Sequence, residues 1–435
     1  MSVIQIQCLK EYFIPFAKIN IDWKRDKRYP EQAIQRFITF NRDVFSFLGV
    51  SANIDEVNYE KGIRLVASNF IGAAPLRTPS SGKYYTDIHV IPRFGENISE
   101  LAYLLKDTLE AEYIDKTLYQ SDQMRAPFYF DCINYFNSFL TALNDPWNKF
   151  DSKIKTESNP CSSTDWLKYI QKSINPSNTL KFENRKNILS REHKEWQELT
   201  YMLNIAICEF ESFRTPALIK QRYFSIVATL KKYISEHQSV KPMATFQIRA
   251  FDTPKIKKLK ENANKLLAHN STNSKSWRID SAELFERYVQ YILRQVGDIC
   301  GAHIMCNKKI SITGEHRPTW VLRYLEPDIV LHKENKFYFA DAKYKAHMLN
   351  VHSSSTDLKD TFRSDLHQIL AYSSFDSTKN KTVILVYPCN KFKNIKLEAV
   401  NNIGNVRNQV FLIGLPFTTV GLDTFINQLS EILKN

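Results

Sequence analysis

Glu326-Pro327-Asp328-Ile329-Val330-Leu331 and Phe337-Tyr338-Phe339-Ala340-Asp341-Ala342-Lys343 are the two stretches whose reading decides the fold of this chain. Each is a short apolar run rich in β-branched or aromatic residues, and the turn at Lys333 to Lys336 predicts that they pair as antiparallel strands. Asp341 and Lys343 stand two apart on a strand and therefore share a face, and pairing with the preceding strand brings Asp328 beside them. Aspartate is disfavoured in strands, yet Asp341 follows Phe337, Tyr338, Phe339 and Ala340 in a run that reads as buried on both faces. Two carboxylates at such a distance repel unless a cation lies between them, and hard oxygen ligands select Mg²⁺ or Mn²⁺. A lysine in the same place orients or helps to deprotonate a water and stabilises charge developing on a phosphate. Together these groups are the minimal equipment for metal-assisted phosphodiester hydrolysis. The bland alternative is a turn aspartate after Pro327 and a solvated strand-end pair at Asp341 and Lys343. It accounts less well for an acid in so apolar a run.

Helical spacing on either side adds candidates. A helix beginning near Ser281 takes Asp280 as its N-cap, and Glu283 reads as the capping-box partner, a structural role. Glu286 lies at the edge of the stripe Phe285, Val289, Ile292 and Val296 and is a candidate third acid near the metal. On a later helix, predicted over Ser364 to Ser374, Asp365, Gln368 and Tyr372 share a polar face opposite Leu366, Ile369 and Leu370. A Gln and a Tyr placed this way contact a nucleic-acid backbone or brace the lysine, with plain solvent exposure as the alternative. An edge strand at Trp320 to Tyr324, strands at Thr382 to Tyr387 and Gln409 to Leu415, and a helix from Leu422 to Leu433 complete an α/β domain over residues 277–435, a mixed sheet flanked by helices.

The arrangement Glu286, Pro327-Asp328, Asp341-Ala342-Lys343 resembles the PD-(D/E)xK nuclease signature, with Asp in place of the commoner Glu before the lysine. Gln368-Ile369-Leu370-Ala371-Tyr372 is similar to the Q-h-x-x-Y motif of RecB-like members. Together with Leu284-Phe285-Glu286, Asp341-Ala342-Lys343-Tyr344-Lys345 and Asp365-Leu366-His367, these motifs resemble McrC, the nuclease-subunit family of the McrBC modified-cytosine restriction systems, and its LlaJI-type relatives. Phe70-Ile71-Gly72 followed by Ile88-His89-Val90-Ile91-Pro92-Arg93 is similar to the G…I-x-I-x-P-[KR] pattern near the N-terminus of that family. The resemblance implies a Mg²⁺-dependent endonuclease, with Mn²⁺ as a substitute, that cuts double-stranded DNA in anti-phage defence when engaged by a separate McrB-like AAA+ GTPase. It implies Asp328, Asp341 and Glu286 as metal ligands, Lys343 as their catalytic partner, and Gln368, Tyr372, Asp365 and Lys345 as DNA-binding or supporting residues. Asn144 to Ser190 matches little in the family, and Ala346 to Arg363 reads as a long loop.

The rest of the sequence bounds these readings. The 435 residues carry a net charge of +13, spread over both parts: +4 from Trp277 onward and +9 before it. That charge suits a polyanionic partner. Only 11 glycines are present and none forms a P-loop or dinucleotide-binding string, so no nucleotide is expected on this chain. The apolar runs are strand-sized, far short of the ~20 residues that span a bilayer. No signal peptide is readable in Met1 to Phe16, and 7 cysteines, an odd number, suit a reducing compartment, so a cytoplasmic location is expected. Cys300, His303 and Cys306 lack the second ligand pair of a zinc ribbon.

Strand-like runs and turns over residues 1–97 predict a strand-rich domain, which the resemblance implies contacts the partner or DNA, and helical periodicity predicts a mainly helical region over 98–268. Its stripes include Leu101 to Leu109, Phe130 to Leu143, Trp196 to Phe213 and Leu218 to Ile234, with Asp151 to Thr164 as a polar loop. Lys255 to Leu267 reads as a helix with a lysine-rich solvated face, and the main boundary is expected in His269 to Ser276. Two other functions are compatible with the same fold: a non-catalytic nucleic-acid-binding or scaffolding subunit, and a stand-alone repair or RNA nuclease.

Overall fold

Lys275–Asp280, expected at the end of a linker, is a strand inside the sheet of the N-terminal residues. The structure, a computed structural model, describes residues 3–19, 30–95, 97–105, 111–117, 127–269, 275–312, 319–401 and 406–434. They form a mixed α/β protein of two units, residues 1–126 with 274–435 and residues 127–273. The expected division near 97 is therefore not where the units part, and 1–97 and 277–435 share one unit. The physical reason is strand pairing: Lys275–Asp280 runs antiparallel to Phe70–Arg77 on one side and to Glu112–Thr117 on the other. Of the expected linker, residues 270–274 lie outside the described residues, as does Leu109 of the expected helical stripe, whose described part is Ile98–Leu105.

This five-stranded sheet has the order Ile4–Gln7, Tyr84–Ile91, Phe70–Arg77, Lys275–Asp280, Glu112–Thr117. Trp277 and Ile279 are buried in it, and the strand runs directly into the helix Ser281–Cys300. Asp280 caps that helix, accepting from Ala282 N–H at 2.8 Å and Glu283 N–H at 3.4 Å. Glu283 does not complete a capping box; its carboxylate takes the Arg287 guanidinium at 2.5 Å on the next turn.

A second sheet of six strands has the order His303–Cys306, Ile329–Lys333, Lys336–Ala342, Asn380–Cys389, Val406–Pro416, Lys393–Asn401. Lys336–Ala342, Asn380–Cys389 and Val406–Pro416 are parallel neighbours, and the outer pairs are antiparallel, so the sheet is mixed. One face packs Phe339, Val383, Leu385, Tyr387 and Val410 against Ile369 and Tyr372 of the helix Thr356–Ser373. That helix begins inside the expected loop 346–363, at Thr356. The expected strand at Trp320 to Tyr324 shrinks to Tyr324–Leu325, paired with Ile310–Ser311.

Residues 127–273 pack the helices Tyr129–Leu143, Lys194–Glu211, Ala217–Glu236 and Pro254–His269 around Phe136, Phe139, Trp196 and Phe210. Asp151 to Thr164 is not a loop throughout, because Lys149–Glu157 pairs with Phe182–Ser190. Its apolar residues Phe150 and Ile154, and Leu189 opposite, are exposed, so no buried face writes an alternating pattern into the sequence. Lys260, expected on a solvated face, is fully buried between Asp252 at 2.7 Å and Glu195 at 2.6 Å.

Gly72 packs directly against the strand Lys275–Asp280: a Cβ there would lie 2.1 Å from the Trp277 carbonyl oxygen. Gly72→Ala is expected to push the central strands apart at a cost of roughly 1–3 kcal/mol. Urea unfolding followed by tryptophan fluorescence measures it, and an unchanged midpoint would contradict the strand assignment of Lys275–Asp280.

Candidate functional site

The strand pair predicted from the sequence sets the site. Ile329 pairs with Ala340, and the same antiparallel register carried one step outward places Asp328 opposite Asp341. Asp341 is fully buried and Asp328 half-buried. Ala342 N–H donates to Asp328 Oδ2 at 2.8 Å, fixing that carboxyl group at the strand end. Lys343 is tethered through its own N–H to the Val386 carbonyl at 2.8 Å, and its Nζ lies 2.6 Å from Asp341 Oδ2. Apart from that ammonium and the neighbouring Asp328 carboxyl group, no N–H or O–H among the described residues reaches either oxygen of Asp341.

Two acids with one counter-charge leave an imbalance. Burial, then the Asp341 charge and a hydrogen bond between the two carboxyl groups, push Asp328 up to about 8, with the Ala342 N–H opposing. Asp328 is thereby biased toward its protonated form beside Asp341. Burial by itself would lower Lys343, but the charges of Asp341, Asp328 and Asp365 outweigh it and hold the ammonium above its ordinary value. A lysine in that state orients a water and stabilises negative charge; it does not take up the water's proton. Two buried acids short of one positive charge suit a hard divalent cation.

Glu286 is close enough for its charge to raise Asp328. Its own carboxyl is raised by burial first, with the Asn307 hydrogen bond opposing and the Asp341 charge adding. Its Oε1 accepts from Gln290 Nε2 at 3.0 Å and, in the amide orientation that satisfies its neighbours, from Asn307 at 3.1 Å. Among the described residues no three His, Cys, Asp or Glu side chains converge as a group that could hold a metal ion. The geometry thus presents a two-carboxylate site, with Glu286 engaged by two amides beside it rather than converging as a third ligand. Cys300, His303 and Cys306 likewise do not converge: Cys300 donates toward the Ser430 carbonyl, and Cys306 accepts from Arg294.

The face expected of the helix Thr356–Ser373 is rearranged by packing. Gln368 is exposed, but Asp365 and Tyr372 are buried. Gln368 Nε2 donates to the Tyr372 hydroxyl at 2.9 Å, and that hydroxyl reaches the Glu326 carbonyl at 3.4 Å, bracing the segment that leads into Asp328. Asp365 accepts from Lys345 Nζ at 2.7 Å and from the Tyr387 hydroxyl at 3.1 Å. Lys345 is thereby held half-exposed two residues beyond Lys343. The sequence reading missed Gln290 and Asn307. Gln290 is a buried amide beside Val289 in an otherwise apolar helix stripe, a legible signal; Asn307 adopts a φ of +50° that only the chain path reveals.

A family model described as McrBC 5-methylcytosine restriction system component matches residues 65–388. Solved structures that resemble the chain include two of McrBC assemblies. One is a refined half-complex from a tetradecameric assembly of Thermococcus gammatolerans McrB AAA+ hexamers with bound McrC, at 15% identity and a TM-score of 0.43, covering 99% of this chain and 100% of that one. The other is a cryo-EM structure of the Thermococcus gammatolerans McrBC complex, at 12% identity and a TM-score of 0.28, covering 68% of this chain and 88% of that one. No curated protein matches the sequence.

The raised Asp328 fixes the sign of two pH effects. The folded chain binds a proton between the ordinary 3.8 and about 8 that the unfolded chain has lost, so stability falls as pH rises through that window and levels off above it. Asp328→Asn should flatten that slope. If Asp328 is a ligand to Mg²⁺, cation binding displaces the same proton, and the affinity should climb with pH by up to about tenfold per unit, levelling near the raised value. Calorimetric Mg²⁺ titrations at several pH values check it, and an affinity independent of pH would remove Asp328 from the ligand set.

Proposed function

Because this chain belongs to the McrBC 5-methylcytosine restriction system component family, we propose that it is the McrC-type subunit, a Mg²⁺-dependent endodeoxyribonuclease with a PD-(D/E)xK domain. It acts on double-stranded DNA when a McrB-like AAA+ GTPase engages it. The observation that carries the reading is the buried Asp328–Asp341 pair with the Lys343 ammonium 2.6 Å from Asp341. Asp328 and Asp341 would hold Mg²⁺, with Mn²⁺ as a substitute. A bound Mg²⁺ supplies the charge that lowers the pKa of a water and neutralises the attacked phosphate.

The chain's own residues do the remaining work. Lys343 orients the water and faces the negative charge that develops on the phosphate oxygens. Lys345, half-exposed and steered by Asp365, offers a second cation to the DNA backbone. Gln368 and Tyr372 hold the approach to Asp328, and Glu286 adds a neighbouring acid whose charge is modulated by two amides. The absence of any P-loop string among the 11 glycines supports a division of labour in which another chain hydrolyses the nucleotide. Among the described residues no helix is long and apolar enough to cross a membrane.

Asp341→Ala and Lys343→Ala should each lower Mg²⁺-dependent cleavage by roughly a hundredfold or more while leaving the fold intact. Glu283→Ala removes an exposed pair worth about 0.3 kcal/mol and should leave cleavage unchanged. The assay is cleavage of methylated and unmodified duplex DNA with the motor subunit and GTP, with and without EDTA. Activity that persists in Asp341→Ala or in EDTA would sink the assignment; a wild type inactive with every partner and nucleotide would favour the scaffolding role. The isolated chain should bind DNA weakly and lose it as salt is raised, since its +13 charge comes without a base-reading motif. Fluorescence anisotropy across a salt series checks this, and tight salt-insensitive binding would contradict it.

A further inference from the structure

Tyr344 stands between the two lysines of the segment Asp341 to Lys345, and its ring is buried. The strand ends at Ala342, and the Lys345 N–H turns back to the Lys343 carbonyl at 2.8 Å, so Tyr344 is the centre of a tight turn. The lysines on either side reach Asp341 and Asp365. The ring between them lies against Phe94 at 5.6 Å, Phe285 at 5.9 Å and Phe417 at 6.2 Å, and its hydroxyl is 3.1 Å from Cys8 Sγ.

These four contacts come from distant parts of the chain. Phe285 precedes Glu286 on its helix, and Phe417 follows the strand Val406–Pro416. Cys8 and Phe94 follow the paired strands Ile4–Gln7 and Tyr84–Ile91 of the N-terminal sheet. Cys8 directly follows Ile4–Gln7, is fully buried, and donates its N–H to the Ile91 carbonyl at 3.0 Å. Arg93, next to Phe94, donates to the Leu9 carbonyl. The two residues are thus fixed by a parallel strand pair of a sheet that contains neither acid of the site.

We infer that Tyr344 is a positioning residue that keeps Lys343 and Lys345 on their carboxylate partners, and that the N-terminal sheet holds Tyr344 in place through Cys8 and Phe94. A tightly packed ring transmits displacement because such an interior has little free volume to absorb it. A partner that shifts the N-terminal strands therefore shifts both lysines together. The catalytic consequence rests on the proposed nuclease reading; the restraint on the two lysines does not.

The experiment compares the full chain with Tyr344→Leu, Tyr344→Phe, Cys8→Ala and Cys8→Ser. Brief acetylation of amines at one pH, read residue by residue by mass spectrometry, reports the restraint. Labelling of Lys343 and Lys345 should rise about threefold or more in Tyr344→Leu, less in Tyr344→Phe and Cys8→Ala, with the other lysines unchanged. Cys8→Ser should restore protection, because a hydroxyl keeps the hydrogen bond. In the DNA cleavage assay Tyr344→Leu should lower kcat by roughly a hundredfold with KM within about twofold of wild type. Unchanged labelling at Lys343 and Lys345 in folded Tyr344→Leu would overturn the inference, and failure of Cys8→Ser to restore protection would remove the N-terminal sheet from it. If Tyr344→Leu does not fold, Tyr344→Phe and Cys8→Ala carry the same two outcomes. If the wild type cuts no DNA under any condition, the nuclease reading falls and the labelling still decides the restraint.

Discussion

Two carboxyl groups, Asp328 half-buried and Asp341 fully buried, brought together with one ammonium 2.6 Å from Asp341, form the constraint on which the rest of this molecule depends. Removing a carboxylate from water costs several kcal/mol unless charge or donors replace the water. Among the described residues Asp341 receives a single cation, Lys343, and Asp328 a single backbone N–H, from Ala342. The protein leaves the remainder unpaid, and the raised Asp328 is its visible sign. Such an arrangement survives only where the surrounding structure is rigid enough to impose it. Here the rigidity comes from a six-stranded sheet whose central strands are buried on both faces.

The supports around the pair come from every part of the unit. Lys275–Asp280 joins the N-terminal sheet and hands the chain directly to the helix that carries Glu286, with Asp280 as cap and Asn69 donating to the same carboxylate at 2.6 Å. Gln290 and Asn307 hold Glu286, Tyr372 braces Glu326, and Asp365 orders Lys345 with the help of Tyr387. Buried polar networks of this kind are either satisfied throughout or destabilising. The Asp341 carboxylate, with the Lys343 ammonium as its one charged partner among the described residues, is where the chemistry is proposed to occur.

What the sequence by itself determined is what is local. The strand pair Ile329–Lys333 and Lys336–Ala342, the shared face of Asp341 and Lys343 and the cap at Asp280 follow from period-two alternation, turn chemistry and capping preference, all of which act over a few residues. What only the tertiary structure decided involves partners far apart in the chain. Lys275–Asp280 reads as linker because its mates lie some two hundred residues away, at Phe70–Arg77. Asp151 to Glu157 reads as loop because the apolar residues Phe150, Ile154 and Leu189 of the strand pair are exposed. Asp365 and Tyr372 read as a polar surface because periodicity cannot tell solvent from a buried hydrogen-bond partner such as Tyr387 or the Glu326 carbonyl. Tyr344 reads as an aromatic spacer between two lysines until folding gathers Cys8, Phe94, Phe285 and Phe417 around it, because a residue's environment is set by contacts that the chain acquires only when it closes on itself.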